Sequence, residues 1–163
     1  MNRFSRAAAS ATATVLGLGR IPLAPGTASS LAAAIILSRL RPNPELLWAV
    51  LVIIGIAGLW SAGVCARIWR IKDPSAVVID EFLGMGLALA LFPGTGPESV
   101  ATAFVLFRLF DILKPPPINR LEDLIGGLGI MADDVAAGIA AAGIMWLVLA
   151  ASRAFPAIKI LIY

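Results

Sequence analysis

Long apolar runs, each broken by a short polar segment, set the pattern of this 163-residue chain. Leu46 to Ala66 holds 21 uncharged residues, enough at about 1.5 Å per residue to cross a hydrocarbon core of about 30 Å. Phe82 to Phe92 is again apolar and carries Gly84 and Gly86, small residues that let membrane helices approach closely. A turn at Pro93-Gly94-Thr95-Gly96-Pro97 leads into a helix running to Leu113, with Pro97 and Glu98 suited to its first turn. Val135 to Ser152 forms the last span. Ser30 to Leu40 is short for a full crossing and ends at Arg39, Arg41, Pro42 and Pro44. In Met1 to Gly19, Thr, Ser and Ala dilute the apolar stretch that follows Arg3 and Arg6, which reads as an interfacial helix rather than a signal peptide. The expected fold is all-α. A single membrane-embedded domain over residues 1–163 forms a polytopic bundle of four to five embedded helices.

Composition agrees with the pattern: 60% of residues are hydrophobic and 14% charged, and the mean hydropathy is +0.93, far from a soluble domain. The chain has no histidine, so no imidazole serves as metal ligand, general base or phospho-acceptor. Cys65 lies alone in an apolar span, which argues against a disulfide or a cysteine-ligated metal. The net charge of +3 is spread over several loops, a pattern of membrane orientation and anionic-substrate contact rather than nucleic-acid binding. With Leu46 to Ala66 running inward, nine basic residues lie inside (Arg3, Arg6, Arg20, Arg67, Arg70, Lys72, Arg108, Lys114, Arg120). Four lie outside (Arg39, Arg41, Arg153, Lys159), as the positive-inside rule prefers. The polar motifs then gather at the cytoplasmic face.

Those motifs carry the chemistry. Arg108, Asp111 and Lys114 stand three residues apart on an otherwise apolar helix, so each neighbouring pair can form an ion pair. The prolines Pro115 to Pro117 stop that helix. A Gly-Gly-x-Gly turn at Gly126, Gly127 and Gly129 precedes Asp133 and Asp134, at the mouth of the last span. Carboxylates there need water, a cation or a metal. Another pair, Asp80-Glu81, ends the loop that begins at Arg67. Near the start, Thr27, Ser29 and Ser30 are expected to cap a helix beginning near Ser29, where its amides and hydroxyls could also hold a phosphate. Carboxylates without histidine suit Mg²⁺, and guanidinium and ammonium groups suit phosphate oxygens. Metal-assisted phosphoryl chemistry on a lipid, a small cation transporter or channel subunit, and a non-catalytic lipid-binding protein all remain open on these residues.

Pro25-Gly26-Thr27 with Ser30, Asp80-Glu81-Phe82 with Gly84, Phe104 to Asp111, Lys114-Pro115 with Pro117-Ile118, and Gly126 to Met131 with Asp133-Asp134 resemble the phosphatidylglycerophosphatase A family. The resemblance runs from about Gly17 to Met145. It departs from the family pattern at Ser29, Met85, Pro116, Glu122 and Asp123. It implies Mg²⁺-dependent hydrolysis of phosphatidylglycerophosphate to phosphatidylglycerol in a bacterial inner membrane. Among other phosphatase chemistries, a cysteine phosphate loop, catalytic histidines and an Asp-x-Asp motif are all missing. The mechanistic expectation makes Asp80, Asp111 and Asp134 metal ligands, and has Glu81 ligating or, like Asp133, orienting or deprotonating the water. Arg108, Lys114, Thr27 and Ser30 hold the phosphate. The oligomeric state is left open.

Overall fold

The computed structural model describes residues 1–92, 94 and 96–154, apart from the side chains of 153 and 154. Pro93 and Thr95 of the expected turn, and the tail that carries Lys159, lie outside the described residues, as does the side chain of Arg153. The described chain is helical, with no strand. Helix α1 spans Arg3–Ala13, and the Asn2 side chain accepts a hydrogen bond from the Ser5 amide at its start. Ala9 and Ala13 are its buried positions, while Phe4 stays exposed. A short 3-10 turn, Leu18–Arg20, then leads to α2, Pro25–Ser38.

Proline opens three of the helices, where its missing amide costs nothing and its fixed φ suits the first turn: α2 at Pro25, α3 (Pro44–Trp69) and α5 (Pro97–Leu113). The Asn43 side chain caps α3 through the Leu46 amide. Helix α4 covers Ile79–Leu91 and α6 covers Gly127–Ala154.

Helix α4 is the hub, packed against α2, α3, α5 and α6. Its small residues make this possible. A side chain at Gly138 of α6 would run into the backbone of Gly84, and one at Gly84 would meet the carbonyl of Asp134, so the two helices touch backbone to backbone. Gly86 receives Leu37 of α2 and Leu51 of α3 in the same way. The contacts also fix direction. Glu81 lies by Gly26 and Gly86 by Leu37, so α2 runs with α4. Gly84 lies by Asp134, and the Trp146 indole donates to the Leu91 carbonyl at 2.8 Å, so α6 runs with α4 too. The C-terminal part of α3 meets the start of α6 at Gly63 and Gly127, and the end of α5 meets the start of α2. These two helices therefore run the opposite way.

Two helices are long and apolar enough to cross a membrane, α3 over its 26 residues and α6 over Gly127–Ser152. Helices α2, α4 and α5 have 14, 13 and 17 residues. Three sequence expectations change. The α2 helix starts at Pro25, so Thr27, Ser29 and Ser30 sit inside its first turns rather than capping it. Gly127 and Gly129 are helical, and only Gly126, at φ +67°, makes the turn. Asp133 and Asp134 therefore lie in the second turn of α6 instead of at its mouth. Asp80 and Glu81 likewise belong to the first turn of α4 rather than to a loop. In each case a helix end extends about one to two turns beyond the apolar run, because neighbouring helices bury the polar residues that composition alone would leave outside.

Candidate functional site

The start of α4, the start of α6, the end of α5 and the start of α2 meet at one end of the bundle. Asp80 and Glu81 come from α4, and Asp134 comes from α6 through the Gly84–Gly138 contact. One carboxylate oxygen from each of these three residues lies within 4.8 Å of the others. Asp80 and Asp134 are buried and Glu81 is partly so. Glu81 Oε2 and Asp134 Oδ1 have no hydrogen-bond partner among the described residues. Three carboxylates converging this closely, with buried oxygens that lack donors, are unfavourable unless a cation offsets their charge. An all-oxygen donor set of this kind fits Mg²⁺.

Cationic groups form the other wall. Arg108 pairs with Asp111, one turn along α5, as the spacing predicts. Its guanidinium also reaches the Ser30 hydroxyl at 3.5 Å, and its Nε is buried without a partner. Asp111 is thereby engaged by Arg108 and stands beside Asp134, outside the three-carboxylate cluster. The expected Asp111–Lys114 pair does not form. Lys114 ends α5 in the left-handed conformation, at φ +41°, which takes its side chain off the helical face that carries Asp111. It pairs instead with Asp133, at 2.6 Å, and with Glu122. Burial opposes its charge, yet the hydrogen bonds it donates to Asp133 and Glu122 prevail and hold the ammonium above the ordinary lysine range. Asp133 keeps one buried oxygen, Oδ1, unpartnered.

The α2 hydroxyls divide. Ser29 donates to the Val78 carbonyl at 2.6 Å and Ser30 to the Gly26 carbonyl at 2.7 Å, so both oxygens are tied to backbone. The Ser30 oxygen still faces Arg108. Thr27 is partly buried and makes no side-chain hydrogen bond among the described residues.

Two contributors escape a reading of the sequence for chemistry. Gly26 is one: a methyl group there would meet the Glu81 carboxylate and Arg108, so bare backbone forms a wall of the site. The other is Glu122, which the chain carries to Lys114 across three prolines, with no helical spacing to signal it.

A family model described as Phosphatidylglycerophosphatase A matches residues 11–149. A Bacteroides thetaiotaomicron protein bearing the provisional name phosphatidylinositol-3-phosphatase is 42% identical over 134 residues, covering 77% of this chain and 84% of that protein. The Phosphatidylglycerophosphatase A of Escherichia coli K12 is 37% identical over 134 residues, 81% of this chain and 78% of that one. Its Haemophilus influenzae namesake is 38% identical over 128 residues, 76% and 77% of the two chains. No solved structure matches. With the family model covering the residues that build the site, the chain belongs to the phosphatidylglycerophosphatase A family.

Proposed function

We propose that this phosphatase hydrolyses the terminal phosphate of phosphatidylglycerophosphate, giving phosphatidylglycerol for glycerophospholipid synthesis, with Mg²⁺, at the cytoplasmic face of a bacterial inner membrane. The observation that carries the reading is the meeting of Asp80, Glu81 and Asp134 within 4.8 Å, next to an arginine whose Nε is buried and unpartnered. Carboxylates for a metal and a guanidinium for a phosphate are the two halves of a metal-assisted phosphomonoesterase. In a membrane bundle, α2, α4 and α5 would lie embedded beside the two long helices, five embedded helices in all. The basic residues near the site end then favour the cytoplasm.

Asp80, Glu81 and Asp134 would hold Mg²⁺, with Asp111 supporting the set from its place beside Asp134. The ion would offset phosphate charge and favour ionisation of the attacking water. Arg108 binds the phosphate oxygens and is kept oriented by Asp111 and Ser30. Glu81 belongs to the carboxylate cluster and lies with Arg108 against Gly26, so its carboxylate takes the proton from water as the oxygen attacks phosphorus. The phosphorus–oxygen bond to the lipid glycerol breaks and the alcohol oxygen leaves with the proton that Glu81 took from water. Lys114, fixed by Asp133 and Glu122, adds positive potential where charge develops. Thr27, partly buried one position after Gly26 on α2, would present its hydroxyl to the phosphate.

The test is phosphate release by purified protein in detergent, with Mg²⁺, with a chelator, and with Asp134→Asn. Phosphatidylglycerophosphate and phosphatidylinositol 3-phosphate serve as parallel substrates, because one relative's name points to the second. The expected result is release from phosphatidylglycerophosphate that needs both the metal and Asp134. Release that survives chelation would overturn the metal's role, and none from a folded sample with Mg²⁺ present would return the charged cluster to a cation-transport or lipid-binding role.

A further inference from the structure

Beyond the headgroup site, the outer surface between α2 and α5 is concave. A groove of about 580 Å³ is lined by Leu31, Ala34 and Ile35 of α2 and by Ala101, Phe104 and Val105 of α5, and it closes at Ser38, Arg39 and Pro97. Its position follows from helical spacing. On α5 the lining residues stand three, four and seven positions before Arg108, on the same stripe. On α2, Leu31, Ala34 and Ile35 stand four, seven and eight positions after Thr27, again on one stripe. The groove therefore descends from the Arg108–Ser30 contact, and from residue 31 to residue 38 it runs about 10 Å along the helix axis. Leu31, Ile35 and Val105 are 48%, 56% and 62% exposed, so its walls remain open to the side.

We infer that this groove holds one acyl chain of the substrate lipid, making the enzyme's selectivity one for long-chain diacyl phosphomonoesters. The inference rests on the function proposed above. A phosphate bound at Arg108 hangs its glycerol and acyl chains from the guanidinium, and the apolar channel that starts one turn below is placed to receive them. The small Ala34 and Ala101 leave the space, Phe104 and Val105 wall it, and Ser38 with Arg39 closes it at the far end. Contacts along a chain remote from phosphorus are made equally in ground and transition states, so they act on KM more than on kcat.

The experiment compares Ala101→Leu with the unmodified protein on two forms of phosphatidylglycerophosphate, one with long and one with short acyl chains, at fixed detergent and Mg²⁺. Ala101 is exposed, so leucine fills the groove without entering the core. The expected outcome is a rise of about tenfold in KM for the long-chain lipid, with short-chain turnover within about twofold. Val105→Trp, one turn nearer Arg108, should act in the same direction. An unchanged ratio between the two lipids in both variants, or an equal loss on both, would overturn the inference and leave the groove to bulk lipid or a second copy of the chain. If the unmodified protein releases phosphate while the ratio stays fixed, the groove reading alone fails. If it releases none from either lipid, the proposed function fails and the groove reading falls with it.

Discussion

Arg108 and Lys114 are six positions apart on the sequence, yet they are held by different means. Arg108 keeps its helical partner Asp111, whereas Lys114, outside the helix, is fixed by Asp133 and Glu122. Replacing Lys114 by methionine strands the buried Asp133 carboxylate and is expected to cost about 3 kcal/mol, read as a lowered thermal midpoint in detergent. Folding raises the basicity of this lysine. The stability it contributes is therefore complete below its unfolded value, about 10.4, and is lost only as pH rises through the higher folded value. The penalty of the methionine variant should accordingly stay constant between about pH 7 and 9 and shrink in strong alkali. Gly26→Ala tests the other wall. Its methyl group meets the ends of flexible side chains, Glu81 and Arg108, so the fold should survive while turnover falls about 100-fold through displaced groups. An active Gly26→Ala enzyme would show that this wall has slack.

At the scale of elements, the site depends on how closely α4 and α6 approach. Asp80 and Asp134 share a cluster because Gly84 and Gly138 remove the side chains that would separate the two backbones. Gly138→Val should push the helices apart, at a cost of about 1–3 kcal/mol, and separate the carboxylates together with the stability loss. Thermal unfolding and Mg²⁺-dependent phosphate release measured on the same preparation would check this. Loss of stability with full activity would mean that the cluster tolerates a wider spacing. The far end of the bundle is fastened differently. Arg41 is buried and donates to the Phe92 carbonyl at 2.6 Å and to the Ser99 hydroxyl at 3.2 Å, which ties the end of α2 to the end of α4 and the start of α5.

Across the whole molecule, the charged site occupies one end and the Arg41 bracket the other, so the orientation in the membrane can be tested with single cysteines. Cys65, the sole native cysteine, is buried and should give little background. Asp123→Cys at the site end is expected to resist a membrane-impermeant maleimide in intact spheroplasts and to react after permeabilisation. Glu45→Cys at the other end should react in both. The reverse pattern would place the site on the outer face. The sequence by itself determined the helical class, the long α3 span, the start and end of α5, and the Arg108–Asp111 pair, because apolar run length, proline and helical spacing are local signals. It also carried the residue types of the site, since carboxylates and cations in apolar surroundings stand out in any reading. Only the tertiary structure decided where α2, α4 and α6 begin, that Ser29 and Ser30 turn to backbone carbonyls, that Lys114 goes to Asp133 and Glu122, and that Gly26 is a wall. Those outcomes depend on contacts between helices far apart in sequence, and such contacts extend helix ends and redirect side chains against their local preferences.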